Sequence, residues 1–206
     1  MKNENQVYFL NNKNYSQKFF LEDNQDKNIF IIDILKEDVN MNIDVYLKSD
    51  CNLFVVISSL NDRYQKNYNI NVYHQGDNSN SNCQTFGINK NNSKSSFCLK
   101  GDIARTSRNN YCEQKIRGIL LSDDAEIKGN PSLIIDTNNI KAKHALAIGR
   151  LNLSNLFYLQ SKGIKKSDAI KLLLLSYFNV ILYQIEDKNT QEKIMNRIFY
   201  EIGEID

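Results

Sequence analysis

Residues 43–57 have the sequence IDVYLKSDCNLFVVI, and their pattern indicates the fold class. Residues 43–47 place an apolar side chain at every second position, which is typical of a half-buried strand. A polar corner follows, and residues 53–57 form a run rich in β-branched residues, which also favours a strand. Comparable short strands recur through residues 28–150, with glycines between them as turns require, and no apolar face of helix length occurs there.

The later strands recur at a rough period. Apolar segments begin at Phe97, Ile119 and Ile134, which are 22 and 15 residues apart, and a second short apolar segment follows each of them. Short strands repeated between polar corners, without an Asn-Gly hairpin turn, favour a stacked β-solenoid. The period alone leaves an antiparallel β-sandwich with irregular spacing open.

The composition excludes several classes of protein. The 206 residues include 26 Lys+Arg against 24 Asp+Glu, a net charge of +2, which argues against a nucleic-acid binder held by bulk charge. The longest apolar run, residues 172–185, is too short and too polar to span a membrane. No apolar signal-peptide core is present, so we expect a cytoplasmic protein whose four cysteines form neither disulfides nor a zinc site. Asn is unusually abundant, and an AT-rich coding sequence is the simplest explanation.

Three zones are expected along the chain. Residues 1–27 are polar and predict an N-terminal arm with partial order at most. Residues 28–150 form the β core, and residues 151–206 form a small helical domain. The domain is predicted to contain three helices, at 155–162, 168–185 and 191–202, with Ser154, Ser167 and Thr190 as N-caps and Gly163 and Gly203 as stops. The second helix is apolar on more than one side, so the core or a partner must cover it.

Few residues suggest chemistry, and the sequence has no motif for phosphate binding or for a hydrolase nucleophile. Asp123, Asp124 and Glu126 cluster on one turn, which suits paired catalytic carboxylates or a cation site, although a solvated corner is the simpler interpretation. His144 is suited to bind a transition metal or to move a proton, and a structural or surface role stays open for it. His74 is interpreted as a structural residue.

Five sequence blocks resemble the C-terminal half of the SufB/SufD family. They are GILLSDDAEI at 118–127, PSLII at 131–135, AKHALAIG at 142–149, LFYLQSKGI at 156–164 and AIKLL at 169–173. The resemblance spans about residues 116–180, and Phe86, Phe97 and Gly101 fit it more loosely. Because several independent blocks match without gaps, the resemblance is specific. Lys162 stands where the family usually has Arg, which keeps the charge and loses the planar fork.

The resemblance implies a right-handed parallel β-helix core followed by a small C-terminal helical domain. In this family SufB and SufD pair through their β-helices, each helical domain docks a SufC ATPase, and the complex assembles iron–sulfur clusters. His144 matches the functional histidine of SufD. The functional cysteine of SufB corresponds to Ile116 here, and the acidic residue after its histidine corresponds to Ala145, so the chain is SufD-like. Cys112 is either an offset thiol or a core cysteine.

The chain is therefore expected to be a non-catalytic subunit, shortened at its N-terminus, with SufB-like and SufC-like partners. It would bind no cofactor stably by itself, and His144 would be a ligand of a transient iron–sulfur cluster at the interface with SufB. A homodimer of the isolated chain stays open, whereas no nucleic-acid or membrane partner is expected. The resemblance assigns SufC docking to Leu156, Phe157, Tyr158, Gly163, Ile164, Leu172 and Leu173.

Two other classes of function compete with this interpretation. A β-helix enzyme acting on polysaccharides would use Asp123, Asp124 and Glu126, although the absence of Trp for sugar stacking counts against it. A purely structural interaction module would keep the fold and the docking surface, and its His144 would be inert.

Overall fold

The computed structural model describes residues 6–203, and within that range the chain forms eleven strands and four helices. The strands are β1 (Gln6–Phe9), β2 (Asn14–Leu21), β3 (Asp26–Asp33), β4 (Val39–Leu47), β5 (Asn52–Asp62), β6 (Gln65–His74), β7 (Asn80–Lys90), β8 (Lys94–Ile103), β9 (Asn110–Leu120), β10 (Glu126–Ile135) and β11 (Ile140–Gly149). The helices are α1 (Leu153–Ser161), α2 (Lys166–Leu175), α3 (Asn179–Leu182) and α4 (Lys188–Ile202).

The strands form a parallel β-solenoid of two facing sheets. The odd-numbered strands make one sheet in the order β1-β3-β5-β7-β9-β11, and the even-numbered strands make the other in the order β10-β8-β6-β4-β2. Every pairing is parallel, and each turn of the chain adds one strand to each sheet. The predicted parallel β-helix is confirmed, and the antiparallel sandwich is excluded.

One full turn is longer than the period read from the sequence. Successive residues of one column, Ile29, Val55, Cys83, Gln114 and His144, are 26, 28, 31 and 30 residues apart. The apolar segments that seemed to repeat every 15 to 22 residues lie on successive strands, which belong to opposite sheets. Each of those intervals therefore leads from one strand to the next, and two of them are needed for one full turn.

The N-terminal segment differs from the predicted arm. β1 pairs with β3 and β2 pairs with β4, so the solenoid already includes residues 6–21. Along β2 the inward positions hold Tyr15, Phe19 and Leu21, and polar neighbours conceal this alternation in the sequence. Residues 1–5 of the predicted arm lie outside the described part of the chain.

Asn residues form ladders along the outer face of the even-numbered sheet. Asn67 Nδ2 donates to Asn40 Oδ1 at 3.0 Å, and Asn69 Nδ2 donates to Asn42 Oδ1 at 2.9 Å. These residues occupy matching positions of β4 and β6, so each amide donates to the amide one turn away. The abundance of Asn thus has a structural role that the composition alone did not indicate.

Asn and Asp also occupy a left-handed backbone position at the same corner of four successive turns. These residues are Asn24, Asp50, Asn78 and Asn109, with φ between 55° and 62°. Short polar side chains tolerate this conformation better than others because they hydrogen-bond locally. At the other corner Asn91 has φ 54°, but the matching position one turn earlier is Arg63, with φ 71°.

Replacing Arg63 by Asn should raise the free energy of unfolding by up to about 1 kcal/mol. The substitution relieves an unfavourable backbone conformation and loses only an exposed ion pair with Asp62, 3.7 Å long. Urea unfolding of wild type, Arg63→Asn and Arg63→Ala would test this. Ala loses the same ion pair and keeps the strain, so equal stabilities of the two variants would contradict the prediction.

The helices pack on the outer face of the odd-numbered sheet. Ser58 Oγ donates to the Tyr177 carbonyl at 2.8 Å, Lys90 Nζ donates to the Ile202 carbonyl at 3.1 Å, and the rings of Phe86 and Tyr177 meet edge to face. A second apolar core lies between helices and sheet, which explains why the centre of β5 is buried on both faces. Among residues 6–203 no helix has the length and apolarity needed to cross a membrane.

The helix boundaries differ from the predicted ones at their N-terminal ends. Asn152 caps α1 by accepting from the backbone N–H of Ser154 and Asn155, so Ser154 is not the cap. Asp187 caps α4 by accepting from the backbone N–H of Thr190, which is therefore not the cap either. In both helices the capping side chain belongs to the residue just before the helix and accepts from the backbone N–H two or three residues later, which is the usual N-cap geometry. The predicted end of the last helix at Gly203 is confirmed.

The predicted long helix at 168–185 is two shorter helices, α2 and α3. The turn between them, residues 176–178, brings the Phe178 ring into the core against the sheet. Ser167 is not its N-cap either: α2 begins after Lys165, which makes no side-chain capping hydrogen bond. Burial of Phe178 against the sheet thus overrides the helical pattern of the sequence.

Candidate functional site: the open end of the solenoid

The solenoid ends on two strands that have one free edge each. Within residues 6–203, β11 pairs only with β9, and β10 pairs only with β8. Their outer N–H and C=O groups therefore have no strand partner in the described part of the chain, and the apolar side chains of Ile134, Ile135 and Leu146 are exposed beside them. Such an edge is a template for pairing with another chain.

His144 lies in the middle of β11 on this open end. Its register partner on β9 is Gln114, and two residues further on Leu146 is opposite Ile116. Leu146 points into the solenoid, since a Cβ added to Gly129 would collide with its Cδ1. Because side chains alternate along a strand, His144 is on the same inner face as Leu146. The imidazole is therefore at the mouth of the solenoid interior, exposed at its last turn.

The neighbours of His144 on β9 are buried. Gln114 is 2% exposed, and its Nε2 donates to the Ser132 carbonyl at 3.0 Å across the interior. Its Oε1 is buried without a hydrogen-bond partner. Cys112 is also buried, and burial raises the pKa of its thiol, while a hydrogen bond with Ser81 opposes that shift. Cys112 is therefore a protonated core thiol at neutral pH, not an offset thiolate.

The position that corresponds to the SufB cysteine is a core position in this chain. Ile116 is buried between the two sheets, and Ala145 is on the outer face of β11. Over residues 6–203 no group of three or more His, Cys, Asp and Glu side chains is arranged to hold a metal ion. This end of the solenoid thus presents a single imidazole, and any further ligands must come from elsewhere.

Two carboxylates of the acidic turn are in surface ion pairs. Asp123 pairs with Arg150, and Glu126 pairs with Lys128 at 3.0 Å, both on the surface. The hydrogen bond from Lys128 lowers the pKa of Glu126, whereas a glycosidase needs one carboxyl whose pKa is raised. The geometry therefore favours the interpretation of this turn as a solvated corner.

The predicted docking residues divide into an exposed group and a packed group. Phe157, Tyr158 and Leu172 are exposed, and Leu153, which the sequence analysis did not name, adds a fourth apolar side chain one turn before Phe157. We call these four residues the helical patch. The i, i+4 spacing of Leu153 and Phe157 was the signal that sequence reasoning missed.

The remaining docking residues have structural positions. Leu156 is buried in the core between helices and sheet, so it does not contribute to the exposed surface of the helices. Leu173 and Ile164 are half-buried against the same core. Gly163 follows α1 with φ 86°, a conformation that glycine adopts most readily. Leu156 therefore helps to hold α1 on the solenoid, while Leu153, Phe157 and Tyr158 of the same helix stay exposed.

His74 belongs to a different part of the molecule. Its ring is fully buried near a corner and hydrogen-bonds to Ser79 Oγ at 2.7 Å and to Ser81 Oγ at 2.8 Å. Burial lowers the pKa of His74 to about 4, so the ring is neutral at pH 7. It has no access to solvent, which agrees with a structural role.

The fold is therefore a parallel β-solenoid that has free strand edges and an exposed histidine at its last turn and helices packed on one sheet. The family model described as the SufBD core domain of the SUF system for FeS cluster assembly matches residues 5–177. The chain therefore belongs to the SufBD core family.

Several curated proteins are similar to the chain over part of its length. It is 27% identical over 133 residues to the iron–sulfur cluster assembly protein SufD of Bacillus subtilis, which covers 65% of this chain and 30% of that protein. It is 34% identical over 87 residues to a SufBD family protein of Mycobacterium tuberculosis, covering 42% and 22%. It is 26% identical over 80 residues to SufD of Escherichia coli, covering 39% and 19%. The aligned part thus spans less than a third of each relative.

Proposed function

We propose that the chain is a SufD-like, non-catalytic subunit of a cytoplasmic complex for iron–sulfur cluster assembly. In this proposal it pairs with a SufB-like subunit through the open end of the solenoid and docks a SufC-like ATPase through the helical patch. The observation that carries the proposal is the free edge of β11 with His144 at its centre. ATP hydrolysis would belong to the partner, because the chain has no phosphate-binding loop.

The open end supports pairing with another β-solenoid. An added strand would satisfy the free N–H and C=O groups of β11, and its side chains would cover Leu146, Ile134 and Ile135. A partner that also ends on free parallel strands would lose its own exposed edges in the same contact. A SufB-like solenoid meets this requirement, and a second copy of this chain is the competing occupant in isolation.

His144 supports a role as one ligand of a cluster in transit. A single imidazole is too little to hold iron and sulfide, whereas an imidazole facing thiolates of a partner completes a site only in the complex. The cluster is the cargo of the complex, so neither subunit needs to bind it when alone. Such shared ligation favours release to a recipient protein.

Reconstitution of the complex with iron and sulfide tests this proposal. The chain is co-purified with the SufB-like and SufC-like proteins of the same cell, and wild type is compared with His144→Ala and Lys141→Ala. Lys141 lies on the outer face of the same strand, so its loss changes β11 without touching the inner face. We expect the complex to form in all three cases and cluster absorbance to fall strongly in His144→Ala alone. Normal assembly by His144→Ala would make the chain a structural module, and failure to form a complex would refute the pairing.

Replacing Phe157 by Asp should weaken binding of the SufC-like ATPase about tenfold or more. The Phe157 side chain is 73% exposed, so a charge there places an unpaired carboxylate in the proposed interface without disturbing the core. Tyr183→Asp is the matched control, since Tyr183 is 75% exposed and lies at the C-terminal end of a different helix. Titration calorimetry with the purified ATPase measures both, and equal affinities of the two variants would exclude the helical patch as the dock.

A further inference from the structure

The Gln114 side chain is satisfied at only one of its two polar atoms. Its Nε2 donates to the Ser132 carbonyl of β10 at 3.0 Å, and this contact fixes which end of the amide is the oxygen. The remaining atom, Oε1, is buried and accepts no hydrogen bond, although Gln114 is 2% exposed. An unpaired buried acceptor costs about 1–3 kcal/mol, so its retention needs a reason.

Gln114 has one register partner on each side, Cys83 on β7 and His144 on β11, and a thiol is only a weak donor. His144 is the register partner of Gln114 on β11, and adjacent strands lie about 4.8 Å apart. Both side chains are on the inner face, where the flanking residues of the His144 strand offer no polar side chain: Ala142 and Leu146 are apolar. Neutral imidazole carries one N–H donor in either tautomer. At this strand spacing a ring turned toward β9 can bring its N–H within reach of Gln114 Oε1.

We propose that Gln114 is a positioning residue for His144. Its Oε1 accepts a hydrogen bond from one ring N–H, which selects one tautomer and directs the lone pair of the other nitrogen toward the free edge of the solenoid. In metal-binding histidines the ring nitrogen that does not bind the metal commonly donates its N–H to a carbonyl or carboxylate, and this hydrogen bond fixes the orientation of the ring. The hydrogen bond itself is independent of any partner, whereas its use in ligation rests on the proposed function.

The amide of Gln114 suits this role because it is itself held in place. The bond to Ser132 ties the side chain across the interior to the opposite sheet, so the acceptor is presented at a defined position. Covering the end by a partner strand would exclude water and strengthen the bond to His144. Two hydrogen bonds, from Gln114 to Ser132 and from His144 to Gln114, would then connect the imidazole to β9 and to β10 of the opposite sheet.

Nitrogen-15 NMR of histidine-labelled protein tests the proposal, because the chain contains two histidines. At about pH 8, well above the ordinary pKa of histidine, the shifts of the ring nitrogens report the tautomer and its hydrogen bonding. The spectra compare wild type, Gln114→Leu and the outward-facing control Lys115→Gln. The signals of buried His74 show in every sample whether the solenoid is intact.

We expect one tautomer of His144 to dominate in wild type and in Lys115→Gln. Gln114→Leu should shift His144 to the averaged signals of a free imidazole and lower cluster formation in the complex about tenfold. Unchanged His144 signals in Gln114→Leu, with His74 signals also unchanged, would overturn the proposal. If Gln114→Leu does not fold, averaged His144 signals in wild type would overturn it equally.

The two proposals fail in different ways. If the tautomer depends on Gln114 but His144→Ala assembles clusters normally, the positioning is real and the proposed function is wrong. If His144→Ala abolishes cluster assembly but the His144 tautomer is the same with and without the Gln114 amide, the proposed function is supported and the positioning role of Gln114 is refuted.

Discussion

Replacing Asp33 by Asn is expected to lower the free energy of unfolding by about 3–5 kcal/mol. Asp33 and Lys66 are both fully buried, with Lys66 Nζ 3.0 Å from Asp33 Oδ1 and also donating to the Leu60 carbonyl. Tyr68 donates its hydroxyl to the other carboxylate oxygen, Oδ2. Burial lowers the pKa of Lys66 and the carboxylate opposes that shift, so removing the charge leaves the ammonium uncompensated in the interior.

Urea unfolding measures this loss, which should shrink as the pH is raised. In the Asp33→Asn variant Lys66 is buried most easily as the neutral amine. The free energy needed to deprotonate it falls as the pH approaches the ordinary lysine pKa, so the variant loses less stability at high pH. The double variant Asp33→Leu, Lys66→Met should recover most of the stability, because an apolar pair replaces the ion pair. Glu126→Gln breaks an exposed pair and should barely change unfolding. A small, pH-independent loss in Asp33→Asn would contradict the prediction.

His74 should make the stability depend on pH by about 3 kcal/mol. Its folded pKa of about 4 is below the ordinary value of 6.5, so the unfolded chain takes up a proton between these pH values and the folded chain does not. The contribution is therefore fully present above pH 6.5, is lost as the pH falls to about 4 and is constant below that. The serine hydroxyls on both ring nitrogens are compatible with a neutral ring.

The comparison of wild type with His74→Gln isolates this effect. Gln keeps a donor and an acceptor for the two serines but does not titrate. Wild type should therefore lose about 3 kcal/mol of unfolding free energy relative to His74→Gln as the pH falls from 6.5 to 4. His144→Ala removes the exposed imidazole and should retain the His74 dependence. A constant difference between wild type and His74→Gln would show that the buried ring accepts a proton in the folded state.

The sequence predicted the elements whose pattern is local. Alternation in β4 and the apolar run in β5 predicted two strands, and both are present at nearly the predicted positions. The end of α4 at Gly203 was predicted correctly because a glycine after an amphipathic segment stops a helix by itself. The sequence blocks around His144 also predicted the parallel solenoid, which no single strand indicates.

The site could be predicted only in part. His144 was identified from its block, but its neighbour Gln114 is 30 residues away and carries no motif. The two meet because one turn happens to have that length, and turns in this chain vary between 26 and 31 residues along that column. Without the strand register, the sequence does not indicate whether Gln114, Cys112 or Ile116 is the neighbour of His144 on β9.

The repeated strands, the polar corners and the amphipathic helices follow from local sequence patterns, since they depend on neighbours within one strand or one helical turn. The burial of Leu156 and the exposure of Phe157 depend instead on the packing of α1 in the folded protein, because no local pattern specifies which side of the helix contacts the second core. The three-dimensional packing thus sets which helix residues are accessible. It also decided the register that brings Asp33 to Lys66 and Gln114 to His144. Contacts between turns are set by the length of each turn, and no local pattern encodes the stacking of one turn on the next.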